Sequence, residues 1–174
     1  KITDIFNNKG INVTYHTKSN SSGIQYTIEY IINPKINIKD RGSEKMLSED
    51  KDLMHKHLIF TNLVDFDMLW GHRRDVDSYA QALKFFDRQL SKIMDVMSEN
   101  DLLIITADHG CDPTFTKHTD HTREYVPLLV YGKSLKQNVN LGTRNTLSDV
   151  AQTIADIFEL SPMKNGKSFK DDIL

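Results

Sequence analysis

Between Asp75 and Met97, apolar residues return every three or four positions: Val76, Tyr79, Ala80, Leu83, Phe86, Leu90, Ile93, Met94 and Met97. That spacing predicts an amphipathic helix with one face on a sheet. A second helix is expected after the polar loop at 18–23, where Ile24, Ile28 and Ile31 share a face; Ser21 or Ser22 caps it and Pro34 stops it. A third runs from about Thr146 to Leu160 and buries Leu147, Val150, Ala151, Ile154 and Phe158, with Thr146 and Asp149 in a capping-box spacing. A short helix is read at 2–8, closed by Gly10. Alternation at 11–17 predicts a short strand, and the apolar runs at 57–64, 101–106 and 126–132 predict buried ones. Residues 34–56 are charged and irregular and read as an exposed excursion. Strands alternating with amphipathic helices argue for an α/β fold, a sandwich with a mainly parallel sheet flanked by helices.

Composition narrows the function classes. At 174 residues the chain is long enough for one domain with its own core. A formal charge of −2 gives no electrostatic case for nucleic acid or an anionic membrane. The single cysteine, Cys111, excludes an internal disulfide and a cysteine-ligated zinc module. No apolar run approaches the ~20 residues of a membrane helix, and no signal peptide is visible, so a cytoplasmic location is expected. The chain opens on Lys1 rather than Met and passes at once into helix-like residues, which reads as an internal piece of a longer protein.

Two strand-to-loop junctions carry the chemistry. One is Asp65-Phe66-Asp67 running to Gly71-His72-Arg73-Arg74-Asp75; the other is Ala107-Asp108-His109-Gly110, followed by Asp120-His121-Thr122-Arg123-Glu124. A buried strand ending in Asp-His-Gly delivers a carboxylate and an imidazole to the sheet edge, where open α/β sheets place ligands. Carboxylate and imidazole without thiolate suit Mn²⁺, Zn²⁺ or Fe²⁺ better than Ca²⁺. Asp67, His72, Asp108, His109 and His121 are more ligands than one catalytic ion takes, since such an ion leaves a position open. Two ions ~3.5–4 Å apart, clamping a phosphoryl group, fit that number. The competing reading is a set of solvated loop residues.

On these residues the chain resembles the phosphopentomutases, a family of the alkaline phosphatase superfamily. The likeness runs over nearly the whole chain, weakest at 34–56, and covers only the C-terminal part of the family's usual length. Asp-His-Gly is shared across the superfamily, whereas the Gly-His-Arg-Arg-Asp and Asp-His-Thr-Arg-Glu pair is much more specific. The resemblance implies an alkaline-phosphatase-like core and a two-Mn²⁺ site (Zn²⁺ or another divalent ion being possible). It implies isomerisation of ribose or deoxyribose 1- and 5-phosphates through an enzyme phosphothreonine, with a sugar bisphosphate as intermediate and activator. It implies Asp108 and His109 on one ion and Asp67, His72 and His121 on the other. The family's threonine nucleophile, a further metal-binding aspartate and the cap domain precede the segment matched here. Residues 1–174 are therefore expected to be the C-terminal part of the metal-binding core domain, with no catalytic nucleophile and no activity alone.

The segment from Asp112 to Asp120 is a residue longer than the family's usual form and adds His118, a rival to His121. Cys111, standing where some members have asparagine, is either a partly buried bystander or a further ligand. Arg73, Arg74 and Arg123 suit phosphate by their guanidinium forks, or pair with Asp75, Asp77 or Glu124. Lys18 is a candidate phosphate contact. Trp70 reads as packing, and His16, His55 and His57 as structural or solvated. Other readings are a second superfamily enzyme, such as a metal-dependent phosphoglycerate mutase or phosphatase, and a non-catalytic metal-binding or interaction module. An exposed apolar edge left by an incomplete sheet would favour a dimer.

Overall fold

The apolar stripe after Asp75 forms a helix as its period requires. In a computed structural model, which describes residues 11, 13–34, 45–46 and 56–174, helix α2 spans Val76–Val96. Asp75 caps it, accepting from the Ser78 N–H at 3.0 Å, which satisfies one orphan donor of the first turn. The expected helix at 2–8, its Gly10 cap and most of the 34–56 excursion lie outside the described residues.

Two compact units divide the chain. The first comprises residues 1–97 and 111–124. In it, α1 covers Asn20–Ile32 and packs on α2, with Ile24, Ile93 and Met97 buried. The cap of α1 is Ser19 rather than Ser21 or Ser22. Its hydroxyl accepts from the Ser22 N–H while the Ser22 hydroxyl accepts from the Ser19 N–H, a reciprocal box built from two serines. Strands β1 (Val13–Thr14) and β2 (Lys45–Met46) pair antiparallel.

The buried strand expected at 57–64 is absent. Residues 56–63 are irregular and mostly exposed, with Leu58 and Phe60 59% and 63% accessible. They run back along α1: the ring of His57 meets Tyr30 edge-on, the Thr61 hydroxyl lies 2.6 Å from that of Thr27, and Leu63 borders Gly23. A continuous apolar run marks a strand only when neighbouring strands complete its ladder, and among the described residues none pairs with it.

A wide π-helical turn, Phe66–Gly71, takes the place of the anticipated strand-to-loop junction. Its signature is hydrogen bonds five residues apart, from the His72 N–H to the Asp67 carbonyl and from the Asp75 N–H to the Trp70 carbonyl. Such turns recur at functional sites. Trp70 packs edge-on against Phe66, which also meets Tyr79.

The second unit comprises residues 98–110 and 125–174. Strands β3 (Leu103–Thr106) and β4 (Leu128–Tyr131) pair antiparallel, Leu103 opposite Tyr131 and Thr106 opposite Leu128. The mainly parallel sheet is thus not what the described residues show. A parallel neighbour needs a long crossover, usually helical, and between β3 and β4 there is no helix. Helix α3 (Ser148–Ile157) packs on the short α4 (Lys170–Ile173) around Ala155, Phe169 and Ile173. The expected Thr146–Asp149 capping box does not form. Thr146 Oγ1 accepts from the Ser148 N–H, but the buried Asp149 carboxylate turns away to Arg144 Nε at 2.7 Å and the Lys167 N–H at 2.8 Å. Thr153 links the two helices, its hydroxyl donating to the Asp149 carbonyl and accepting from the Phe169 N–H. No helix among the described residues is long and apolar enough to cross a membrane.

Candidate metal centre

The π-helical turn brings Asp67 and His72 to one side. A spacing of five residues is about 1.4 turns of an α-helix and would set them about 140° apart around its axis. In the wider turn residues five apart are hydrogen-bonded neighbours, and His72 Nε2 lies 3.3 Å from Asp67 Oδ1. Gly71 makes the turn possible, because a Cβ there would stand 2.7 Å from Cys111 Sγ and 2.8 Å from the Phe66 carbonyl oxygen.

His121 comes from the loop at 111–124. Its Nε2 lies 3.4 Å from the same Asp67 Oδ1, and its ring centroid is 4.8 Å from that of His72. The donor atoms of Asp67, His72 and His121 all lie within 4.8 Å of one another. Ligands of a tetrahedral ion with bonds of about 2.1 Å sit about 3.4 Å apart, so the two measured edges have the length such a site needs. One carboxylate oxygen and two imidazole nitrogens also form the donor set that first-row divalent ions prefer. The residues fit a metal.

Neighbours orient both imidazoles. His72 Nδ1 sits 2.5 Å from the carbonyl oxygen of Thr119; a carbonyl only accepts, so that nitrogen carries a proton and Nε2 is the ring nitrogen left to ligate on the Asp67 side. Asp120 Oδ1 accepts from the His121 N–H at 2.8 Å and lies 4.0 Å from His121 Nδ1. The first of these contacts holds the Asp120 carboxyl below its usual range.

The loop itself is tied internally. Thr122 Oγ1 accepts from the Asp112 N–H and donates to Glu124, while Asp112 Oδ1 accepts from the backbone and hydroxyl of Thr114. The ring of His118 packs on Phe115, and of the two rivals it is His121 that lies beside Asp67 and His72. Cys111 is half-buried, and burial pushes its thiol pKa up, opposed by a contact from Arg74 Nη1 at 3.6 Å.

Asp108 and His109 follow β3 in the second unit. They keep company with each other, His109 Nε2 lying 3.6 Å from Asp108 Oδ1, and Asp108 is 89% exposed. Lys18, Arg73 and Arg123 are exposed. Arg74 is committed to the main chain rather than to Asp75: its guanidinium donates to the carbonyls of Gly71, Asp112, His118 and Asp120. The Asn20–Asp65 pair also had no signal in the sequence. Asp65 Oδ2 accepts from the Asn20 N–H at 2.7 Å, and Asn20 Oδ1 accepts from the Asp65 N–H at 3.0 Å.

Comparison with known proteins agrees with the metal chemistry. A model of the metalloenzyme superfamily matches residues 1–162. The chain is homologous to phosphopentomutases. It is 53% identical over 169 residues to the phosphopentomutase of Caldanaerobacter subterraneus subsp. tengcongensis, covering 97% of this chain and 38% of that protein. Against the phosphopentomutase of Clostridium novyi it is 49% identical over 174 residues, all of this chain and 39% of that protein. Against that of Thermotoga maritima it is 50% identical over 171 residues, 98% of this chain and 39% of that one. The chain thus spans about two fifths of the length of the curated relatives it matches.

Proposed function

Since the chain belongs to the metalloenzyme superfamily, we propose that the protein carrying it is a phosphopentomutase, interconverting the 1- and 5-phosphates of ribose or deoxyribose. The observation that carries this reading is the convergence of Asp67, His72 and His121, each within a motif that resembles that family. In this reading the three side chains hold one Mn²⁺, and Asp108 and His109 contribute to a second. When bound, such ions neutralise the charge that builds on phosphoryl oxygens during in-line displacement.

The protein's own residues supply the geometry. Asp67 Oδ1 faces both imidazoles, and the Thr119 carbonyl fixes the tautomer of His72. Lys18, Arg73 and Arg123 are exposed cations suited to a phosphate dianion. In this reading the phosphate-accepting threonine lies outside these 174 residues, which by themselves are expected to turn over no substrate.

The test is an assay of the whole protein with Mn²⁺, on ribose 5-phosphate and on a phosphoglycerate. Isomerisation of the pentose phosphate, abolished by Asp67→Ala, is the expected result. Turnover of phosphoglycerate alone would move the protein to another branch of the superfamily. Absence of both, with metal still bound, would leave a non-catalytic metal module.

A further inference from the structure

We propose that Arg74 is the positioning residue of this metal centre: its guanidinium clamps the loop bearing His121 onto the turn bearing Asp67 and His72. The proposal rests on the metal reading above. A guanidinium has five N–H donors in one plane, and here five contacts to backbone carbonyls absorb that capacity. Nη1 donates to Gly71 at 3.0 Å and Asp112 at 2.9 Å. Nη2 donates to His118 at 2.7 Å and Asp120 at 2.6 Å, and Nε to His118 at 3.1 Å.

Two of these acceptors matter most. Gly71 is the residue before His72, and Asp120 is the residue before His121, so one rigid group grips the peptide adjoining each imidazole. The ligands lie 49 positions apart in sequence (72 to 121), yet through Arg74 they share one anchor. Arg74 itself has φ +56, a left-handed conformation that costs a non-glycine residue free energy and persists where surrounding contacts enforce it. With its fork committed to carbonyls, Arg74 has no edge left for phosphate. Lysine cannot replace it, because a single ammonium has neither the reach nor the planar fork.

The experiment is calorimetric Mn²⁺ titration of the whole protein and of Arg74→Lys, Arg74→Gln, His121→Ala, Asp67→Ala and the Arg74→Lys/His121→Ala double variant. Arg88→Gln on α2 is the control, and Arg74→Gln serves if Arg74→Lys fails to fold. Losing an outer partner of a metal ligand typically weakens affinity ~10–100-fold, and that loss is expected for Arg74→Lys with none for Arg88→Gln. In the His121→Ala background the same substitution should cost less than about twofold, because the ligand it positions is already gone. Co²⁺ absorption should show Arg74→Lys losing the same imidazole that His121→Ala removes. Unchanged Mn²⁺ affinity in Arg74→Lys or Arg74→Gln, or losses that multiply in the double variant, would overturn the proposal. Unchanged affinity in Asp67→Ala would instead overturn the metal reading itself.

Discussion

His72 Nδ1 and the carbonyl oxygen of Thr119 stand 2.5 Å apart, so a main-chain atom selects between the two tautomers of the neutral imidazole. Long-range ¹H–¹⁵N correlation spectra of the metal-free protein, recorded with the ring neutral, should therefore report His72 as the Nδ1–H tautomer. Because the acceptor is backbone, Thr119→Ala should leave both the tautomer and Mn²⁺ affinity unchanged. An Nε2–H signal would contradict the arrangement.

The two halves of the candidate ligand set differ in completeness. Asp67, His72 and His121 converge within 4.8 Å, while Asp108 is exposed and faces only its neighbour His109 among the ion pairs described. Titration of the 174-residue chain with Mn²⁺ should find the three-ligand site filling first. Asp67→Ala should cost no less than the ~10–100-fold typical of outer-sphere partners, and Asp108→Ala much less. Equal losses would refute that order.

Gly71 is fixed by space. Gly71→Ala would drive a methyl against Cys111 Sγ and the Phe66 carbonyl, and overpacking of this kind costs about 1–3 kcal/mol. Adding Cys111→Ala should recover only part of the loss, since the carbonyl remains 2.8 Å away. Urea unfolding of the single and double variants measures both effects, and full recovery in the double variant would place the whole clash at the thiol.

The second unit should have an acid-sensitive clasp. The Lys167 N–H, with Arg144 assisting, holds the buried Asp149 carboxyl below its usual pKa. A carboxyl whose folded pKa is depressed binds fewer protons folded than unfolded. Its contribution is complete above its unfolded pKa of about 3.9 and fades as pH falls through the lower folded value. Asp149→Asn keeps an acceptor for Lys167 but removes the charge facing Arg144, so it should cost about 1.5–3 kcal/mol at neutral pH. It should also flatten the acid limb of a thermal-stability profile below about pH 4; a limb as steep as the parent's would count against the clasp.

How much of this could be read from sequence depended on whether the signal was periodic, chemical or backbone-borne. The stripe from Val76 to Met97 has the period of a helix, and α2 follows it almost to the residue. Asp67, His72 and His121 stand out because imidazoles are few, seven in the chain, and are set here beside carboxylates in dense motifs. The segment at 57–64 misleads because apolarity says what is buried in a completed sheet, whereas a strand also needs a partner. The antiparallel β3–β4 pairing was implicit in the lack of any helical period between them. The grip of Arg74 is different in kind: its partners are carbonyl oxygens, which every residue possesses, so no pattern of side chains announces it. The same holds for the π-helical turn, whose five-residue hydrogen bonds have no compositional mark.

The reciprocal bonds between Asn20 and Asp65 close a loop of 45 positions at its base. Asp65 is two residues from Asp67, and Asn20 is two residues from Lys18, so the candidate ligand and the candidate phosphate contact are referenced to one clasp. Because the entropy of closing a loop grows only with the logarithm of its length, a change of length between α1 and Lys56 alters the cost of closing this clasp little. The position of the candidate ligand is thus set by the clasp itself rather than by the number of residues it encloses there.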